Sequence, residues 1–289
     1  VSVSSNPTVR RRRLGMELRR LREALGMKGE EAARRLGWSP SKISKIETGR
    51  MSVHHGDVRD MLDLYEVADQ RVRAALIQLA RDARQQGWWQ PYSDLLSRNS
   101  ATYIGLESAA ESLREYRPLN VPGMFQTEDY ARAVILGGGP LELREAETER
   151  RVALRLERQA FLRENAKLDV WLILHEAALR CEIGDALVMR DQLRRLIQEA
   201  HSPWVTLQVI PFSAGAHPSM AGSFGVFTFP EENDRGIAYI DSATGILYLE
   251  RQEEVKAANL TFDHLIAAAL NKDDSRALLE AVADEYDRK

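Results

Sequence analysis

The chain has a single cysteine, Cys181, in 289 residues. That excludes an internal disulfide and agrees with a reducing compartment; the ordinary place for such a thiol is as a small buried hydrophobe. No apolar run approaches the roughly 18 residues that cross a bilayer. The N-terminus also lacks the apolar core of a secretory signal, so a cytoplasmic protein with no membrane partner is expected. Lysine is scarce, at 7 against 33 arginines. With so many arginines their abundance says little, and their location says more.

What is present fits an ordinary globular chain, 44% hydrophobic and 29% charged, with room for two domains. The net charge of -3 is unevenly spread. Residues 1–50 hold 13 basic and 5 acidic side chains, a local +8 that leaves -11 for the remainder. One basic end and one acidic body are expected when only one domain neutralises phosphates.

The basic end carries helical punctuation. Residues 1–9 hold little apolar surface and read as a flexible tail. Arg10, Arg11, Arg12 and Arg13 follow, read either as an arm or helix start that touches DNA phosphates or a minor groove, or as a solvated basic face. Leu14, Leu18, Leu21 and Leu25 repeat at helical spacing, and Gly26 closes that helix. Ala32, Ala33 and Leu36 give a second helix its inner face, closed by Gly37. Ser39 then serves as N-cap and Pro40 as first helical residue. Ile43 and Ile46 face inward, which turns Ser41, Lys42, Ser44 and Lys45 outward. Two short helices joined by a glycine turn, the second showing hydroxyls and lysines, describe a helix-turn-helix. Segments 57–65 and 72–79 complete five helices over residues 10–86. His54 and His55 are adjacent, so they cannot share a helix face as metal ligands do and read as loop or cap residues.

The run Trp38-Ser39-Pro40-Ser41-Lys42-Ile43-Ser44-Lys45-Ile46-Glu47-Thr48-Gly49 resembles the recognition segment of Xre-type repressors, in the version carried by actinobacterial regulators with a poorly characterised second domain. The resemblance implies base contacts from Pro40, Ser41, Ser44 and Lys45, and phosphate contacts from Lys42, Thr48 and Arg50, while Lys28 is expected to compensate through its charge for a departure at Gly29. It also implies a structural ion pair between Arg22 and Glu47. Where many such domains have a phosphate-bracing glutamine, this chain has Gly29, and that contact is in doubt.

Gly87 and Pro91 around Trp88 and Trp89 mark a linker over 87–99; two adjacent tryptophans there read as packing between domains or as a partner contact. From 100 to 289 the pattern predicts helices over 104–116, 141–164 and 185–200. Strands are expected near 168–174, 205–210, 224–229, 237–240 and 246–249, with two terminal helices after them. This is an α+β domain with a mixed or antiparallel sheet. Gly137-Gly138-Gly139-Pro140 lacks the following Lys-Ser/Thr of a phosphate loop and reads as a connector.

Segments 122–131, Arg155 to Gln159, His175 to Arg180 and Gln192-Leu193 also resemble the same family, which includes WhiJ-like developmental regulators. His175, Glu176, His201, His217, Asp241 and His264 fit neither metal spacing nor a nucleophile elbow. Neither an enzyme nor a metal or cofactor site is expected. The expected function is sequence-specific transcriptional regulation: a homodimer on double-stranded operator DNA, its second domain responding to a small-molecule effector or to a small protein from a neighbouring gene. The competing expectation is an antitoxin-like protein that neutralises such a partner and autoregulates its operon.

Overall fold

The computed structural model describes residues 7–84, 87–138, 145–165, 168–220, 222–230, 236–242 and 244–289. The chain forms two compact units: one takes the chain through Pro91 with Ala101–Ala109, the other Tyr92–Ser100 with Ala110–Lys289.

The first unit is helical. Helices α1 (Pro7–Ala24), α2 (Gly29–Leu36), α3 (Pro40–Glu47), α4 (His55–Leu64) and α5 (Gln70–Asp82) enclose one apolar core. Leu14, Leu18, Ile43, Ile46, Val58, Met61 and Leu62 are at most 1% exposed, each adding about 1.5 to 3 kcal/mol of burial. Of the residues 1–9 expected to form a tail, 7–9 belong to α1, and residues 1–6 lie outside the described residues. Leu25, expected on the inner face of α1, is exposed because the helix stops at Ala24. His54 is a cap: its Nδ1 accepts from the Gly56 N–H at 3.2 Å and opens α4. Trp89 is buried, with the Trp88 ring edge-on at 5.9 Å.

The second unit is built on a six-stranded mixed sheet ordered β3-β2-β1-β4-β5-β6. Its strands are β1 (Ser112–Arg117), β2 (Asp169–His175), β3 (Val205–Ile210), β4 (Ser223–Thr228), β5 (Ile237–Ser242) and β6 (Gly245–Leu249). The first three run parallel, and β4, β5 and β6 continue antiparallel from β1. The helix expected over 104–116 is instead α6 (Arg98–Glu107) followed by β1 at the centre of the sheet. Leu113 and Tyr116 stand three apart, which imitates a helix. In a strand covered on both faces they lie on opposite sides and both are buried.

On one face, Phe262 and Leu265 of α11 (Gln252–Ala268) pack on Tyr116, Ile173, Ile210 and Phe224. Helix α7 (Glu128–Gly138) and the long α8 (Glu145–Asn165) lie between β1 and β2 in the chain; α9 (Glu176–Arg180) and α10 (Ala186–Glu199) lie between β2 and β3. Gly137 and Gly138, expected in a connector, end α7, while 139–144 lie outside the described residues. Helix α12 (Lys272–Asp287) closes the edge of β3: Val209 N–H donates to Ser275 Oγ at 3.0 Å, and Leu270 N–H donates to the Val209 carbonyl at 2.9 Å. An edge so covered offers no template for another strand. Cys181 is exposed, not buried as expected, because it follows the last residue of the five-residue α9.

Candidate nucleic-acid interface

Helix α3 is set by its two ends. Gly37 takes the left-handed conformation (φ 68°) that ends α2, and the chain turns through Trp38 to Ser39. The Ser39 side chain accepts from Lys42 N–H at 3.2 Å, capping α3 with Pro40 at its first position. At the far end Gly49 (φ 65°) lies against α1, where a Cβ would stand 2.7 Å from Arg12 Cα. Ile43 and Ile46 are buried, so Pro40, Ser41, Ser44 and Lys45 are exposed together.

Behind this face sits a buried ion pair. Arg22 grips Glu47 with both arms, Nε to Oε1 at 2.6 Å and Nη2 to Oε2 at 2.8 Å, and its Nη1 donates to the Met27 carbonyl at 2.5 Å. Hydrogen bonding to Glu47 is the main cause that raises the Arg22 pKa above its ordinary value, against the opposing effect of burial. One pair therefore joins α1, the α1–α2 turn and the end of α3. Glu47 points into the domain, away from the face that shows Lys45.

The remaining expected contacts divide. Lys28 and Arg50 are exposed. Lys42, expected on a phosphate, places its ammonium 3.0 Å from Asp57 Oδ2 and 3.5 Å above the Trp38 ring, which ties it to the start of α4. Thr48 donates its hydroxyl to the Ser44 carbonyl at 2.7 Å, ending the helix. The four arginines do not form an arm: all are in α1, where Arg12 is buried, Arg13 exposed, and Arg10 reaches the Asp82 carbonyl at 3.4 Å. Arg11 donates to Thr8 Oγ1 at 3.2 Å.

Lys28, Gly29, Pro40, Ser44 and Thr48 share the lining of one open cavity of about 530 Å³ between the starts of α2 and α3. Arg19 of α1, whose Nε donates to Glu23 at 2.7 Å, also lines it with Glu30, Ile43 and Glu47, and was not singled out in the sequence. The signal was there: Arg19 stands three residues before Arg22, on the same side of the helix.

In the second unit most of the scattered ionisable residues are held in framework bonds, while His264 is exposed. Glu176 accepts from Phe212 N–H at 2.8 Å and from Arg180 Nε at 2.7 Å. His175 Nδ1 accepts from Ala177 N–H and caps α9, and its ring lies 5.5 Å from that of His217. Asp241 pairs with Arg117 at 2.6 Å, and His201 Nδ1 lies 2.8 Å from the Ile197 carbonyl. Among the described residues no group of three or more His, Cys, Asp or Glu is placed to hold a metal ion, and no helix is long and apolar enough to cross a membrane.

A capped helix whose polar face projects from a tightly braced helical pair defines a helix-turn-helix DNA-binding regulator. Residues 13–76 match the family model described as a helix-turn-helix domain, and residues 100–281 match the one described as Domain of unknown function (DUF5753). The chain belongs to this DUF5753 family. No curated protein and no solved structure matches it.

Gly29 offers a direct test of the cavity. A Cβ there would meet only Ile43 Cγ2, at 3.9 Å, an ordinary contact, so a side chain can start at this position without strain. Gly29→Gln is expected to tighten operator binding several-fold, about 1 kcal/mol for one added hydrogen bond to a phosphate, in gel shifts at fixed salt. Unchanged or weaker binding would show that the start of α2 does not approach the DNA backbone.

Proposed function

We propose that the protein is an Xre-type transcriptional regulator of the actinobacterial, WhiJ-like kind. It binds operator DNA as a homodimer, reads bases through Pro40, Ser41, Ser44 and Lys45, and has no catalytic activity of its own. Its second unit supplies dimer contacts and responds to a small-molecule effector or a small protein encoded nearby.

The observation that carries this reading is the exposed polar face of α3 fixed by the buried Arg22–Glu47 pair. A reading helix must be held rigidly, because base discrimination depends on hydrogen-bond geometry. Ser41, Ser44 and Lys45 supply donors for guanine acceptors and groups for phosphates. Lys42 is reassigned to positioning α3 against α4, since its ammonium is already paired with Asp57.

Lys45→Ala is the decisive substitution. Lys45 is exposed, so the fold should be unaffected. Loss of a base contact is expected to cost about 1 to 3 kcal/mol of operator affinity and to relax preference at one position. A uniform loss across all sequences would make Lys45 a phosphate contact instead. Unchanged binding would remove it from the interface.

A further inference from the structure

The backbone of the loop after β1 is held by side chains from several segments. It runs from the Arg117 end of the strand through Pro122 and a short helical turn, Gly123–Phe125, to α7. Three buried glutamines from three segments hold its backbone. Gln126 Nε2 donates to the Val121 carbonyl at 2.7 Å; Gln159 Nε2 of α8 donates to the carbonyls of Gly123 and Gln126, both at 2.8 Å. Gln192 of α10 accepts from Thr127 N–H at 2.8 Å and donates to the Phe125 carbonyl at 2.9 Å. The loop lies beyond the carboxyl end of β1, which is parallel to β2, the side on which open α/β sheets place ligands.

Two arginines of α8 come to this loop. Arg155 Nη1 donates to Gln126 Oε1 at 2.5 Å, its one hydrogen-bond partner among the described residues. A Cβ placed on Gly123 would lie 3.6 Å from Arg155 Nε and 3.3 Å from Arg158 Nη1, so both guanidiniums rest against a backbone that carries no side chain. Arg155 is set deep yet keeps partial exposure to solvent.

The charged groups that act most on Arg155 are Arg158 and Arg117, both of its own sign. Burial, then the neighbouring Arg158 and Arg117, push its guanidinium down to about 10. Arg117 has its own carboxylates, Glu115 at 2.7 Å and Asp241 at 2.6 Å. Arg155 has none. A deeply set guanidinium is normally placed opposite an acid, and the bond to Gln126 by itself needs only a neutral donor.

We propose that Arg155, with Arg158 beside it across the bare Gly123 backbone, binds the oxyanion of a small acidic ligand, a carboxylate or a phosphate group. The guanidinium fork matches both in a bidentate arrangement, and the glutamine-braced loop holds the fork in place before the ligand arrives. Use of this site as a regulatory input rests on the function proposed above; binding itself does not.

The test uses the full chain. Its melting temperature is followed while inorganic phosphate, or separately succinate, is titrated against sodium chloride at matched ionic strength. The expected result is a saturable rise of several degrees with at least one of the two. That rise should be absent in Arg155→Gln, which keeps a donor for Gln126, and at least tenfold weaker in apparent affinity in Arg158→Gln, which serves alone if the first variant does not fold. A response confined to phosphate or to succinate assigns the oxyanion. No saturable rise with either, or the same rise in the variants, overturns the proposal. Operator affinity in the same buffers is a separate readout: binding that leaves it unchanged keeps the site and removes the regulatory reading.

Discussion

Replacing Glu47 with alanine is expected to destabilise the helix-turn-helix unit by about 3 to 5 kcal/mol, the usual consequence of breaking a buried ion pair from one side. Both partners are almost wholly buried, at 7% and 8% side-chain exposure. The substitution leaves Arg22 with the Met27 carbonyl and, at 3.6 Å, the exposed carboxylate of Glu23, and a guanidinium does not shed its proton to escape. Because the same pair anchors the end of α3, operator affinity should fall together with stability. Denaturant unfolding of the full chain, followed by circular dichroism, measures the first effect. A loss below about 1 kcal/mol would mean that packing of Ile43 and Ile46 holds α3 without the pair.

Gly15→Ala should also destabilise, which is the opposite of what helix propensity alone requires. Alanine is favoured over glycine inside a helix by about 1 kcal/mol, and Gly15 lies within α1. A Cβ there, however, would run into the Ile46 carbonyl and stand 2.6 Å from the Glu47 carbonyl oxygen, contacts with backbone that no rotamer change relieves. The two helices must separate, at a cost of about 1 to 3 kcal/mol for overpacking. The expected outcome is a lower melting temperature and a loss of sequence preference at the operator, with non-specific binding retained because the basic charge is unchanged. A variant more stable than the parent would show that α1 and α3 are less tightly fitted than these distances require.

The helix-turn-helix was legible because its signals are local. Gly37, Ser39-Pro40 and Gly49 act within a few residues of themselves, and each occupies the cap or turn its type favours. Arg22 and Glu47 are 25 residues apart, and only family resemblance brought them together. The four consecutive arginines, expected in an arm or a helix start, lie in the helix start and are not equivalent there. Successive helical residues turn by about 100°, so Arg12 goes inward against Gly49 while Arg13 stays in solvent. The pairing of Lys42 with Asp57 was not legible, because Asp57 sits on another helix and has no sequence spacing to announce it.

Strand β1 was hidden for a different reason. A strand between two others, covered on both faces, has no alternating pattern, and Leu-Arg-Glu-Tyr reads equally well as helix. Glu115 shows how far the final arrangement depends on pairing. It stands level with Gly225 on β4 and, beyond that, Tyr239 on β5. The missing side chain of Gly225 lets the Tyr239 hydroxyl cross one strand and donate to Glu115 at 2.6 Å. Likewise Gln126, Gln159 and Gln192 stood out as separate pieces of the sequence. Only the crossings between β1, β2 and β3 gather them around one loop.

The most direct measurement is selection of bound sequences from a random duplex pool by the full chain and by Lys45→Ala in parallel. The expected result is enrichment of two related half-sites about 10 to 10.5 base pairs apart, centre to centre, with one position in each half-site losing its preference in the variant. No enriched motif, or a motif identical in both proteins, would contradict base reading by α3.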